Sequence, residues 1–169
     1  MQYVWHYDSP LGQMTMASDG EWLTGLWFEG QKYFASSLTG EWRPCMLPVF
    51  ALAAEWLDCY FGGGEPSLSL PLRLAGTPFR MAVWEVLRTI PYGRVTTYKR
   101  VAEDVAARYG AKVSVRAVGG AVGHNPLSVV VPCHRVIGSD GSLTGYAGGI
   151  DRKVALLEAE GVDMIGLKW

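Results

Sequence analysis

The spacing of apolar residues changes near Ala75-Gly76, and that change limits the fold more than any other feature of the chain. Before it, apolar and aromatic residues alternate in short runs: Tyr3 to Tyr7, Gln13 to Ser18, and Trp22 to Phe28 after a turn at Asp19-Gly20. A period of two puts every second side chain on one face of a strand. One stretch here is helical, Pro48 to Phe61, with Phe50, Leu52, Ala53, Trp56, Leu57 and Tyr60 apolar and Gly62-Gly63-Gly64 to stop it. Leu68 to Leu74 alternates again, and Pro71, with no N–H to donate, restricts it to an edge strand. The expected fold class is therefore α+β. A small N-terminal antiparallel sheet with a helix covers residues 1–75, and a helical unit covers 76–169.

The helical unit starts at Thr77, which suits an N-cap, with Pro78 at the first helical position and apolar residues running through Val83, Trp84, Val86 and Leu87 towards Pro91. Thr97 can cap a helix from Tyr98 to Tyr109. Gly110 ends it, and Ser114 can cap a second helix reaching His124. Two helices around a Gly-containing turn form a helix-turn-helix pattern. An apolar strand from Ser128 to Val131 follows, then turns through Gly149 and a closing helix around Lys153 to Glu160.

Charge separates along the same line. Residues 1–76 carry Lys32, Arg43 and Arg73 against eight acids, whereas Arg88 to Arg135 holds eight basic residues against only Glu103 and Asp104. A basic segment beside an acidic one suggests a polyanion-binding half and a spacer half. No run of apolar residues is long enough to span a membrane, and the first residues lack the basic flank and apolar block of a signal peptide. Cys45, Cys59 and Cys133 are an odd number with no tight pair. That usage predicts free thiols in a reducing compartment, the cytoplasm, rather than a disulfide framework or a cysteine-based zinc site.

Chemistry concentrates in Pro132-Cys133-His134-Arg135-Val136. A thiol beside an imidazole can serve as nucleophile and base, with an acid to orient the imidazole; Glu160 on the closing helix is one candidate among several. Neighbours on a strand point to opposite faces, so Cys133 and His134 cooperate only where the backbone turns or water bridges them. The same residues also fit a buried cysteine packed as a small hydrophobe.

The segment Pro132-Cys133-His134-Arg135-Val136 resembles the active-site signature of the O6-alkylguanine-DNA alkyltransferases, the methylated-DNA–protein-cysteine methyltransferases. The likeness extends, in the family's order, through Thr77-Pro78-Phe79, Val83-Trp84, Ile90-Pro91-Tyr92-Gly93, Thr97-Tyr98, Arg116 to Ala121, Asn125-Pro126, Gly145 to Gly149, Lys153, Leu156-Leu157 and Glu160-Gly161. The resemblance implies a ribonuclease H-like N-terminal domain and a C-terminal domain with a winged helix-turn-helix. It also implies a single, irreversible transfer of the alkyl group from O6-alkylguanine in DNA to Cys133, without cofactor or metal.

Site roles follow from the resemblance. Cys133 is the acceptor, His134 acts through a water as base, and Glu160 orients it. Asn125 holds the turn before the active-site segment, and Tyr98 donates its hydroxyl to the purine. Arg116 is the finger that fills the duplex where the nucleotide was turned out. Ala117, Gly119 and Gly120 let the recognition helix approach the minor groove closely, and Thr97 and Arg135 join the DNA- and substrate-binding set. Cys133 and Val136 offer carbonyls to the base's exocyclic amine, and Tyr146, Ala147 and Gly148 form the lid. The implied partner is double-stranded DNA, bound by a monomer.

The chain departs from the family in places. Ala147 stands where many relatives have Ser, so a side-chain contact is lost and the backbone N–H is kept. The loop Arg108 to Val113 differs from the commoner Gly-Asn-Pro form, no cysteine cluster precedes the domain, and the zinc ligands of animal relatives have no counterparts. Two rivals remain at this stage. One is a damage-flagging DNA-binding protein, whose family lacks the acceptor cysteine. The other is a cysteine hydrolase using Cys133, His134 and Glu160.

Overall fold

The computed structural model describes residues 1–169. Strands β1 (Gln2–Ser9) and β2 (Gly12–Ser18) form a hairpin with Tyr3 opposite Ser18 and Tyr7 opposite Met14. β3 (Leu23–Phe28) adds antiparallel to β2, and β4 (Trp42–Pro44) adds parallel to the outer edge of β1, giving the order β3-β2-β1-β4. The sheet is thus mixed, not purely antiparallel. Three residues are too few to display an alternation, so β4 leaves no mark on the sequence pattern.

Helix α1 (Pro48–Phe61) lies against the sheet face carrying Met14, Met16, Leu26 and Phe28, with Val49, Phe50, Ala53, Leu57 and Tyr60 buried. The Tyr7 hydroxyl donates to Asp58 at 2.6 Å and pins the helix to β1. On the other face Val4, Ala17 and Trp27 form a smaller cluster with Ala35 and Leu38. The strand expected at Leu68 to Leu74 does not form. A single bridge joins Leu72 to Leu23, through Leu23 N to Pro71 O (2.7 Å) and Arg73 N to Leu23 O (3.0 Å). Pro66 and Pro71 remove the donors that a longer ladder would use.

Three helices follow and pack on one another: α2 (Pro78–Leu87), α3 (Tyr98–Tyr109) and α4 (Val115–Gly123). Thr77, Thr97 and Ser114 each accept the backbone N–H three residues on, at 3.0–3.2 Å. Gly110 closes α3 at φ 66°, a conformation that costs a side chain about 1 kcal/mol. α2 ends at Leu87, short of Pro91, because the residue before a proline is pushed out of the helical region. Trp84 ties α2 to α4 by donating its indole N–H to Ala121 O at 2.9 Å.

Ser128 to Val131 is a buried loop, not a strand. Asn125 explains the difference. Its Nδ2 donates to Val131 O (2.7 Å) and its Oδ1 accepts from Leu127 N (3.0 Å), so one side chain takes the groups a ladder would pair. Val129 is held at φ 70°, outside the extended region. After a 3-10 turn at Cys133–Arg135, β6 (Val136–Ile137) pairs parallel with β5 (Thr96–Thr97). α5 (Ile150–Ala159) starts three residues earlier than its sequence pattern suggests.

The two portions share one apolar core, in which Met14, Leu26, Phe50, Val83, Val101, Leu127 and Leu156 belong to a single cluster. β3 grips the loop before the active-site turn through Leu26 N to Pro126 O (2.8 Å) and Ser128 N to Leu26 O (2.9 Å). No helix is long and apolar enough to cross a membrane.

Candidate active site

Cys133 opens the 3-10 turn, 4% exposed, with its backbone N–H bonded to Val131 O at 2.8 Å. That turn supplies what a strand could not: adjacent residues 133, 134 and 135 all face inward, each of them buried. Burial pushes the Cys133 thiol up, against the Asn125 side chain and the Lys153 charge, which pull it down. Burial likewise pushes His134 down, with Glu160 opposing. The resting pair is a thiol and a neutral imidazole.

His134 Nε2 lies 2.5 Å from Glu160 Oε2. Burial alone would raise the Glu160 pKa, but hydrogen bonds from His134, Arg135 and Tyr60 bring it down to about 2. An ionised carboxylate only accepts, so the proton of the neutral ring sits on Nε2 and Nδ1 is left with a lone pair. His134 Nδ1 is buried without a hydrogen-bond partner, and so is the Tyr146 hydroxyl, whose ring lies edge-on to His134 at 6.5 Å. A base nitrogen and a hydroxyl of two neighbouring rings are thus both buried and unpaired.

Around this pair the structure distributes the other expected residues unevenly. Tyr98 donates its hydroxyl to Thr144 O at 3.2 Å, and burial raises it to about 12. Thr97 is occupied as the cap of α3. Arg116 and Ala117 stand exposed on α4. A Cβ placed on Gly119 or Gly120 would meet no heavy atom within 4 Å, so nothing inside the protein requires a glycine at either position. Gly148 differs: a Cβ there would fall 2.5 Å from the Tyr146 ring. A cavity of about 220 Å³ lies between Gly119, Gly120 and Gly123 of α4 and the loop Gly145 to Ala147. Lys32 and Tyr33 close its third side, so the sheet portion is more than a spacer. Tyr33 stacks on His124 at 3.8 Å, and Lys32 N donates to Ala147 O at 3.1 Å.

Arg135 is corrected by the structure. Expected among the residues that meet substrate or DNA, it turns inward instead, with Nε 2.7 Å from Glu160 Oε1 and Nη1 2.8 Å from Ile90 O. A buried guanidinium needs a carboxylate and a carbonyl, and this turn aims it at both. The Val136 carbonyl already accepts from Lys153 Nζ at 2.5 Å. The other basic residues between Arg88 and Arg116 are exposed.

Two side chains of the site escaped the sequence reading of roles. Lys153 is fully buried and lowered to about 8 by burial, with Cys133 pulling it the other way. Its signal was present, since positions 153, 156, 157 and 160 share one helix face and a Lys among leucines invites a partner. Tyr60 donates to Glu160 Oε2 at 2.6 Å across 100 residues of sequence; on its own helix it reads as one more apolar residue. No three His, Cys, Asp or Glu side chains cluster as metal ligands would.

A buried thiol, an imidazole with a free nitrogen and an orienting carboxylate, set behind a helix-turn-helix, define a thiol group-transfer site beside a surface shaped for a polyanion. Known proteins with the same layout agree. Residues 3–74 match the ribonuclease-like domain of 6-O-methylguanine DNA methyltransferase, and residues 78–162 match the DNA binding domain of the same enzyme. The methylated-DNA–protein-cysteine methyltransferase of Mycobacterium bovis is 46% identical over 158 residues, covering 92% of each chain. That of Haemophilus influenzae is 40% identical over 165 residues, covering 96% of this chain and 88% of its own. The crystal structure of Mycobacterium tuberculosis OGT in complex with DNA superposes with a TM-score of 0.83 at 43% identity, over 94% of this chain and 92% of that one. The chain belongs to the 6-O-methylguanine DNA methyltransferase family.

Proposed function

We propose that this protein repairs DNA by moving an alkyl group from guanine O6 to Cys133, once per molecule. The observation that carries this reading is the unpaired Nδ1 of His134, buried next to a buried thiol while Nε2 is held by Glu160. A thiol at 4% exposure is reached only by a group delivered into the interior, which a nucleotide turned out of the duplex provides.

In this mechanism the Cys133 proton passes through a water to His134 Nδ1, and the sulfur bonds to the alkyl carbon as the C–O6 bond breaks. The electron pair left on O6 is absorbed by the purine, and the proton lost by Cys133 returns to it from His134 through solvent, so that it leaves as ordinary guanine. Tyr98, whose single hydroxyl proton goes to Thr144 O in the free protein, turns that donor to the purine when the nucleotide enters and stabilises the developing charge. Lys153 faces the forming thiolate. Asn125 holds Leu127 and Val131, and so the start of the turn that presents Cys133.

DNA is the partner, and the exposed bases from Arg88 to Arg116 supply the sequence-independent attraction to phosphate. Binding through the minor groove by a monomer, with Arg116 filling the vacated stack, is supported by the exposed position of Arg116 and the open glycine face of α4. The cavity between α4 and the loop Gly145 to Ala147 is the entry for the extruded nucleotide. A division of the chain near Ala75-Gly76 fits the gap between the two family matches. A thioether is stable and no residue here is placed to remove it, so one alkyl group consumes one protein.

Intact-protein mass spectrometry after incubation with an O6-methylguanine oligonucleotide tests the proposal. One added methyl per chain, located on Cys133, is expected. An unchanged mass, or many turnovers on an ester or amide without DNA, would overturn it.

A further inference from the structure

We propose that Tyr60 is a positioning residue for alkyl transfer, contributed by the sheet portion, whose hydroxyl sets how strongly Glu160 holds the proton of His134. The inference rests on the alkyl-transfer reading above.

The geometry is specific. Tyr60 is 1% exposed, and its hydroxyl lies 2.6 Å from Glu160 Oε2 and 3.5 Å from His134 Nε2. Glu160 Oε1 is filled by Arg135 Nε (2.7 Å) and Gly93 N (3.0 Å), so Tyr60 and His134 share the remaining oxygen. Tyr60 has one proton to give, and an ionised carboxylate can only accept, so Tyr60 is the donor. Each donor on a carboxylate draws charge from it and weakens its pull on the others. With Tyr60 in place, Glu160 orients the imidazole without making it so basic that it is already protonated before the thiol needs it.

The ring is fixed for this task. It stacks on Trp56 at 5.5 Å and 6°, and meets Phe61, Tyr92 and His134 edge-on at 5.2, 6.2 and 6.4 Å. With Arg135 and Tyr92 it lines a surface cavity of about 250 Å³ that neither His134 nor Glu160 reaches, and so stands between that cavity and the relay. The ionisable groups around His134 are Lys153 from α5, Glu160 at its C-cap, Cys133 and Arg135 from its own turn, Tyr146 from the lid loop and Tyr60 from α1. Substituting Tyr60 changes none of their charges, so a change in His134 basicity reports the lost hydrogen bond.

The test follows the rate of Cys133 alkylation by free O6-benzylguanine across pH. The acid limb reports His134, which must be neutral to accept the thiol proton. Tyr60→Phe keeps the ring and removes the donor. We expect its limb to move to higher pH by about half to one unit, a fall in rate of roughly three- to tenfold on that limb, the wild-type rate above it, and duplex affinity within twofold of wild type. Difluorotyrosine at position 60, a stronger donor of nearly the same volume, moves the limb the other way and covers the case in which the Phe variant folds poorly. An unmoved limb in either variant, including a rate lowered equally at every pH as looser packing would give, overturns the role of Tyr60. Failure of the wild-type protein to be alkylated overturns the alkyl-transfer reading instead.

Discussion

His134 Nε2 and Glu160 Oε2 meet at 2.5 Å across 26 residues of sequence, and the contact decides which nitrogen of the imidazole is free. Because Glu160 stays ionised down to about pH 2, it accepts a hydrogen bond from Nε2–H and leaves Nδ1 able to accept. Glu160→Gln can present its amide N–H to Nε2 and so favours the other tautomer. We expect alkyl transfer to slow by roughly ten- to a hundredfold on both duplex and free base, with duplex affinity unchanged. Single-turnover rates check this, and wild-type rates in the variant would remove Glu160 from the relay.

Binding and chemistry separate at Arg116 and Cys133. Arg116 is exposed on α4, whereas Cys133 is buried. Arg116→Ala should cut repair of duplex by about tenfold or more, because holding the flipped state costs a few kcal/mol, and leave free O6-benzylguanine within about twofold of wild type. Cys133→Ser should abolish both reactions and keep duplex affinity. The measurement is single-turnover rates on both substrates with affinity at a stated salt concentration. Equal slowing of both substrates by Arg116→Ala contradicts its assignment.

Gly120 predicts a stability gain with a functional loss. A methyl group there meets nothing within 4 Å, and alanine is favoured over glycine inside a helix by about 0.5–1 kcal/mol. Gly120→Ala should therefore raise denaturant stability by that amount and weaken duplex binding by roughly tenfold, by holding the helix off the groove. Urea unfolding and a binding titration read the two effects separately. Unchanged affinity would mean that the open face of α4 is not the contact surface.

Lys153 supplies a pH signature. Its pKa is lowered from 10.5 to about 8 by burial. Between those values the unfolded chain binds more protons at this site than the folded one, so this group makes stability rise with pH from about 8 to 10.5. In a Cys133→Ser background, Lys153→Met should be more stable than its parent at pH 7, with the advantage shrinking towards pH 10.5. With Cys133 present, Lys153→Met should slow alkylation, since the forming thiolate loses the ammonium that faces it. Urea titrations at a series of pH values test the first part; a constant difference would show that folding leaves the Lys153 pKa unshifted.

Local patterns in the chain determined much of this protein. Helix starts at Thr77, Thr97 and Ser114 were legible because a capping side chain bonds a backbone N–H three residues away, and β1 to β3 because a period of two needs only neighbours. Cys133, His134, Glu160 and the basic stretch were also legible, as residue types in an order that resembles a known family. Tertiary structure alone decided the rest, wherever one group answers another far along the chain. Asn125 folds Ser128 to Val131 into a loop by taking the bonds of a strand, β4 exists only because the edge of β1 is there to pair with, and Arg135 turns inward because Glu160 waits for it. Tyr60 is the fullest case. Its position in α1 specifies only that it is buried, and burial brings its hydroxyl to a carboxylate 100 residues away, where an unpaired polar group would be costly and a shared one can set the basicity of His134.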